Sequence, residues 1–256
     1  MSTPQSLARG HAQSQSSLSR QPFDGPSHGP SERAADGQPH SQPVSLTQLV
    51  HEHVAARIRC GGQAIDATAG NGHDTCFLAR AVGPQGRVLA LDIQPAAVAA
   101  TRARLEAAGL LERVTLRQAD HCTLPRLTHS LEISSVDAVL FNLGYHPGGD
   151  RSIITTPEST LPALEAALTV LRGGGMLSIL AYRGHPGGEA EAEAVAEWCR
   201  TQEQARGEAQ EQPPEEHRLT QDRGGQTQEQ PPALRYTVYH TPNPHGPVLH
   251  LLERLT

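Results

Sequence analysis

Two short apolar runs, each closed by a carboxylate, set the plan of this chain. Gln63-Ala-Ile-Asp66 stops at a small-residue loop, Ala67-Thr-Ala-Gly-Asn-Gly72, and a helical pattern begins near His73. Arg87-Val-Leu-Ala-Leu91 then stops at Asp92. A strand that ends in a glycine turn lets a ligand approach the backbone, because Gly70 and Gly72 carry no Cβ. A carboxylate at the end of the next strand can accept from both hydroxyls of a ribose. The pattern implies a nucleoside-containing cofactor lying across the carboxyl ends of parallel strands.

What the loop lacks narrows the cofactor. A dinucleotide fingerprint wants glycine at the first, third and sixth positions of the turn; Ala67, Ala69 and Gly72 stand there. A P-loop needs Gly-Lys-Ser/Thr, and all 21 basic residues of this chain are arginine. The loop resembles instead the Asp/Glu-x-Gly-x-Gly-x-Gly signature of class I S-adenosylmethionine (SAM) methyltransferases, as Asp66-x-Thr68-x-Gly70-x-Gly72. Thr68 stands where that signature has its first glycine.

The remaining elements read in alternation. Ser45 caps a helix with Leu46, Leu49, Val50, Val54 and Ile58 at helical spacing. Strands are expected at 63–67, 87–91, 114–117, 136–141 and 176–182, the last after a Gly173-Gly-Gly175 turn. Helices are expected at 73–82, from Pro95 to Ala108 with Gly109 as terminator, from Thr156-Pro157 to about Leu171, and at 189–200. Strands 234–239 and 248–252 close the pattern as a hairpin, so the last strand should run antiparallel. This is an α/β, doubly wound, Rossmann-like sheet, the plan that the SAM-methyltransferase resemblance also implies. Residues 1–43 are rich in Ser, Gln, Pro, Gly and His and read as a disordered tail. The rest, 44–256, reads as one domain with a low-complexity insertion at 201–232.

The net charge of −6 is unevenly spread. Three acids balance three arginines in the tail, whereas the excess falls on 189–200 and 201–232. The body is neutral, so charge neither requires nor forbids RNA. Cys60, Cys76, Cys122 and Cys199 show no paired C-x-x-C spacing, so reduced thiols in a cytoplasmic protein are expected, with no metal site. No apolar run approaches the length of a membrane span.

Ligands of open α/β sheets collect outside the strand carboxyl ends. Asp66, Gly70, Asn71, Gly72, His73 and Asp74 would surround the methionyl part of the cofactor. Asp92 would take the ribose hydroxyls, Gln94 the ribose or the adenine edge, and Asp120 with His121 the adenine side. Asn142-Leu-Gly-Tyr145, at the end of the fourth strand, keeps the Asn and the aromatic of the Asn/Asp-Pro-Pro-Tyr/Phe segment of amine-directed methyltransferases. An Asn carbonyl there would orient an incoming amine, and Tyr145 could pack on the base or on the methyl donor. His185 and Asp150, in two loops that share His-Pro-Gly-Gly, are the candidates to accept a proton.

Asp66-Ala-Thr-Ala-Gly-Asn-Gly-His-Asp-Thr75, Phe141-Asn-Leu-Gly-Tyr145, Pro147-Gly-Gly-Asp150 and Gly184-His-Pro-Gly-Gly188 resemble a small bacterial family labelled as rRNA methylases. Characterised members are SAM-dependent tRNA methyltransferases that convert 5-aminomethyl-2-thiouridine at the wobble position to its methylaminomethyl form. The resemblance covers about 45–200 and the final strands. It implies an enzyme with SAM as cofactor and tRNA as partner. A methyltransferase acting on rRNA or a small molecule, or a SAM-binding protein without catalysis, are the alternatives, and a homodimer is left open. His146, Arg151, the tail and the 201–232 insertion depart from the family's pattern.

Overall fold

The computed structural model describes residues 45–211 and 232–256. The tail 1–43 and most of the expected insertion lie outside the described residues. Among the described residues seven strands form one sheet: β1 (Gln63–Asp66), β2 (Arg87–Asp92), β3 (Val114–Gln118), β4 (Val136–Leu143), β5 (Leu171–Ala181), β6 (Leu234–His240) and β7 (Val248–Arg254). Their order is β3-β2-β1-β4-β5-β7-β6. Only β7 runs against its neighbours, pairing antiparallel with both β5 and β6. The order reverses between β1 and β4, and the crevice opens at their carboxyl ends, the place where such sheets bind ligands.

Six helices of the described residues cover the two faces: α1 (Leu46–Ala55), α2 (His73–Ala81), α3 (Pro95–Ala107), α4 (Leu124–Ser130), α5 (Pro157–Val170) and α6 (Gly188–Glu211). Neighbouring strand residues point to opposite faces. Ala138 and Leu140 join α1, α2 and α3 through Val54, Leu78 and Leu105. Val139 and Phe141 join α4, α5 and α6 through Leu124, Leu164 and Val195. Because both faces are covered, β4 is apolar along most of its length. Burying one such side chain stabilises by roughly 1.5–3 kcal/mol. None of the helices among the described residues is long and apolar enough to cross a membrane.

Local chemistry accounts for most boundaries. Ser45 Oγ accepts from Gln48 N at 3.1 Å, capping α1. Pro157 opens α5 from Thr156, which occupies the cap position without a side-chain hydrogen bond. Gly109 ends α3 in the left-handed region, φ +65°.

Three features differ from expectation. The short α4, preceded by a 3-10 turn at His121–Thr123, is too brief to impose a periodicity on the sequence. Gly173-Gly-Gly175 is not a turn before β5 but part of it, bulged against Val136 and Ala138. Arg172 supplies the reason: its guanidinium binds the buried Asp137 carboxylate and the Arg57 carbonyl, holding the strand's start in place. Finally, α6 runs through Glu211 instead of stopping near residue 200. Glu203 in this extension accepts from Tyr236 N at 2.9 Å, and Gln202 donates to Glu165 at 2.9 Å. Contacts, together with good helix formers, carry the helix into a segment whose composition looked like linker.

Candidate active site

The loop after β1 is built by the side chains beneath it. Asp66 is fully buried; its Oδ1 accepts from Thr68 N at 3.2 Å and its Oδ2 from Thr75 Oγ1 at 2.5 Å. Burial and the nearby Asp74 charge push its carboxyl up to about 7. Asp66 therefore braces the loop from below and faces neither of the clefts above. Gly72, with φ +76°, is also structural: a Cβ there would lie 2.9 Å from Thr101 Cα, so glycine lets α2 start hard against α3. Thr68 needs no glycine, because its φ is not positive. Its hydroxyl instead accepts from Asn142 N at 2.7 Å, tying the loop to the end of β4.

Above the loop lie two adjoining clefts of about 120 and 420 Å³ that share Thr68, Gly70, Asn142, Gly144, Tyr145 and Pro147. The smaller is lined by Asp92, Gln94, Asp120 and His121, with Ile93 and Ile153 as exposed apolar walls. Asp92 Oδ2 accepts from Gly70 N at 2.8 Å and Oδ1 from Gln94 N at 2.9 Å. Each oxygen keeps a lone pair for a further donor. Asp120 Oδ1 accepts from Cys122 N at 2.8 Å, and among the described residues its second oxygen accepts nothing. His121 is buried beside Ser159 and Thr160, at 3.2 and 3.3 Å, and burial holds its ring below the ordinary histidine range. Gln94 clamps the loop opposite: Oε1 accepts from Asp150 N at 3.0 Å and Nε2 donates to Asp150 O at 3.2 Å. An acceptor pair for a diol, a spare carboxylate oxygen for an amine and two apolar walls suit an adenosine moiety.

The larger cleft holds Asn71, His73, Asp74, Tyr182 and His185, with Thr47 of α1 on its wall. Asn142 stands where the two clefts meet. Its Nδ2 donates to Asp74 Oδ2 at 2.8 Å, and Asp74 Oδ1 is bonded to His51 Nε2 at 2.7 Å. Burial raises the Asp74 carboxyl, but the His51 and Asn142 hydrogen bonds outweigh it and hold it below the usual range. Tyr145 carries the Arg151 guanidinium 5.3 Å from its ring centre, and the His185 ring meets it edge-on at 5.9 Å. His185 Nδ1 lies 3.1 Å from Pro186 O. A carbonyl only accepts, so the neutral ring carries its proton on Nδ1 and its lone pair on Nε2. Nε2 is buried beside Gly144 and Gly188 and has no hydrogen-bond partner among the described residues.

Asp150 requires correction as a candidate proton acceptor. Its exposed Oδ1 accepts from both Ser152 N and Ser152 Oγ, at 2.8 and 2.7 Å, and it lines neither cleft. It shapes a turn. Among the cofactor candidates, Asp66 and Gly72 likewise support the loop, whereas Gly70, Asn71, His73, Asp74, Asp92, Gln94, Asp120 and His121 line the clefts.

Sequence reasoning passed over Thr47 and His51, although their i, i+4 spacing beside the apolar stripe of α1 marks a polar strip. It also passed over Glu191 of α6, buried, which accepts from Thr155 Oγ1 at 2.6 Å and Thr160 Oγ1 at 2.7 Å. Thr155 Oγ1 in turn accepts from Gly144 N at 2.8 Å, so α6 braces the loop after β4.

Comparison with known proteins finds relatives in both sequence and structure. The family described as "Putative rRNA methylase" matches residues 88–217. A protein of Arabidopsis thaliana named tRNA (mnm(5)s(2)U34)-methyltransferase, chloroplastic, is 40% identical over 155 residues, 58% of this chain and 57% of that one. Ribosomal RNA small subunit methyltransferase H of Thiobacillus denitrificans is 39% identical over 105 residues, 40% of this chain and 32% of that one. The chain thus spans between a third and just over half of the length of these curated relatives. Among solved structures, a "putative rRNA-methylase" from Clostridium thermocellum aligns with TM-score 0.67 and 31% identity, covering 84% of this chain and 100% of that one. A "putative methyltransferase" from Streptococcus mutans, in complex with SAH, aligns with TM-score 0.62 and 28% identity, covering 82% and 97%.

Proposed function

This chain belongs to the family described as "Putative rRNA methylase"; on that premise we propose that it is a SAM-dependent methyltransferase of a primary amine on RNA, the 5-aminomethyl group of a tRNA wobble (2-thio)uridine. The observation that carries the reading is Asn142, placed between the two clefts with its amide nitrogen turned onto Asp74. Its carbonyl oxygen is then free to accept an N–H from an amine in the larger cleft. The name of the Arabidopsis relative supports tRNA as the carrier of that amine.

Asp92 would hold the ribose hydroxyls, Asp120 the adenine amine, and Ile93 with Ile153 the faces of the base. The bound cofactor supplies an electrophilic methyl on a sulfonium. Everything else asked of the protein is orientation and proton traffic. With one N–H held by Asn142 Oδ1, the amine's lone pair can be aimed along the axis of the breaking sulfur–carbon bond. Tyr145, backed by Arg151, offers a face on which the uracil ring can stack. The ammonium must lose a proton before attack, and His185 Nε2, at the wall of the larger cleft, is the candidate to receive it. That transfer requires the 182–188 loop to shift, because Nε2 is enclosed as the loop stands.

The test is incubation of the protein with SAM and with tRNA bearing the aminomethyl group, followed by mass spectrometry of the nucleosides. A gain of one methyl on the wobble uridine is expected. Modification of rRNA with none of tRNA would replace this substrate by the one named in the Thiobacillus relative. His185→Ala should lose turnover only at pH values below the amine's own pKa; a loss independent of pH would leave His185 as a loop brace.

A further inference from the structure

Resting on that reading of Asn142, we infer that His51 and Asp74 form a positioning pair that sets which end of the Asn142 amide faces the acceptor cleft. The chain of contacts crosses three elements. His51 of α1 lies flat on Phe77 of α2, with ring centres 3.9 Å apart and an interplanar angle of 8°. That stacking leaves Nε2 pointing at Asp74 Oδ1, 2.7 Å away. Asp74 Oδ2 receives Asn142 Nδ2 at 2.8 Å. The backbone of Asn142 is fixed independently by Thr68 Oγ1.

An amide can present either its NH2 or its carbonyl oxygen to a neighbour, and the neighbour's chemistry decides which. An ionised carboxylate is an acceptor only, so it selects the NH2 and sends the carbonyl oxygen the other way. A protonated carboxyl could donate instead, and the amide could then turn over. Asp74 is desolvated, which by itself favours the protonated form, and the hydrogen bond from His51 opposes that tendency. His51 lines neither cleft, so it acts through Asp74 and not on substrate. The consequence is selectivity: with its oxygen outward, Asn142 recognises an acceptor that has an N–H to give.

The test reads the amide itself as well as turnover. In 15N-labelled protein saturated with S-adenosylhomocysteine, the Asn142 side-chain NH2 signals are identified by their absence from Asn142→Ala. In the wild-type protein they should exchange slowly with solvent. His51→Phe keeps an aromatic ring on Phe77 but removes the donor; exchange should rise roughly tenfold and turnover fall roughly tenfold, as for one lost charge-assisted hydrogen bond, with affinity for S-adenosylhomocysteine unchanged. His51→Gln, whose amide can donate to Asp74, should recover most of both. Asp74→Asn offers a second route: an amide at 74 can pair with either end of Asn142, so turnover should fall there too, even if His51→Phe fails to fold. Unchanged Asn142 signals and turnover in His51→Phe, or an equal loss in His51→Gln, would overturn the pairing. Failure of the wild-type protein to methylate tRNA would strike the substrate reading alone, since the NH2 signals need no RNA.

Discussion

At the amino end of β4, Asp137 is fully buried against the guanidinium groups of Arg59 and Arg172; at the carboxyl end of β1, Asp66 is equally buried but has only Thr68 and Thr75 as donors. Its nearest charged neighbours include Asp74 and Asp92, both of its own sign. Among the described residues no arginine pairs with any of these three carboxylates. The amino end saturates its acid with cations and serves folding. The carboxyl end gathers three acids held by neutral donors and one histidine, of which Asp74 and Asp92 line the clefts, and the fold bears the repulsion. Function here is legible as an electrostatic arrangement that folding alone would not select.

Substitutions at the two ends should therefore fail differently. The largest effect is expected for Asp137→Ala, which leaves two arginines facing each other across a buried gap. A loss of about 3 kcal/mol is expected, visible in urea unfolding, with cofactor affinity unchanged in the fraction still folded. A mild effect would mean that the amino end is not the structural clamp described above.

Asp92→Ala should give the reverse result. Removing a charge-assisted acceptor for the ribose should weaken S-adenosylhomocysteine by roughly tenfold to a hundredfold, or about 1.5–3 kcal/mol. Thermal stability should move less, because the two N–H groups Asp92 accepts from, Gly70 in the β1 loop and Gln94 in its own, lie at an open cleft where water can replace it. Calorimetry returning wild-type affinity would remove Asp92 from the cofactor site.

The smallest effect is the most diagnostic. The Asp66 carboxyl titrates near 7 in the fold against 3.8 as its ordinary value. A raised carboxyl contributes stability that is fully present below 3.8 and is lost as pH rises through 7. Asp66→Asn abolishes that loss. Its melting temperature, taken relative to wild type, should accordingly climb by a few degrees between pH 5 and pH 8. A difference that stays constant with pH would show that Asp66 is already ionised in the fold without penalty.

How far the chain could be read in advance follows the same division. The strand-loop-helix of the β1 turn, the placing of Asp92 and Asn142 at strand ends and the antiparallel close of the sheet were legible because each follows from local pattern and simple alternation. The roles of Thr68, His51 and Glu191 were not, since each is defined by a partner 23 or more residues away: Thr68 by Asn142, His51 by Asp74, Glu191 by Thr155 and Thr160. Asp150 misled in another way. A carboxylate in a glycine-rich loop looks available, yet the fold leaves Asp150 outside both clefts, with Oδ1 turned onto Ser152. The length of α6 was hidden too, because Gln- and Glu-rich sequence suits a helix and a linker equally until Tyr236 supplies a contact.

The placement of β7 between β5 and β6 also bears on assembly. The short 241–247 segment lets the two strands of the hairpin, β6 and β7, pair locally, and β6 joins the sheet only through β7, although it precedes β7 in the chain. Until β7 docks on β5, Met176 to Ala181 present an open parallel-sheet edge whose eventual partner lies more than sixty residues downstream. An unfilled edge of that kind accepts strands from other molecules as readily as its own. The hairpin is therefore the latch that separates a finished fold from a sticky intermediate, and damage to it should first appear as aggregation during synthesis, before any loss of chemistry.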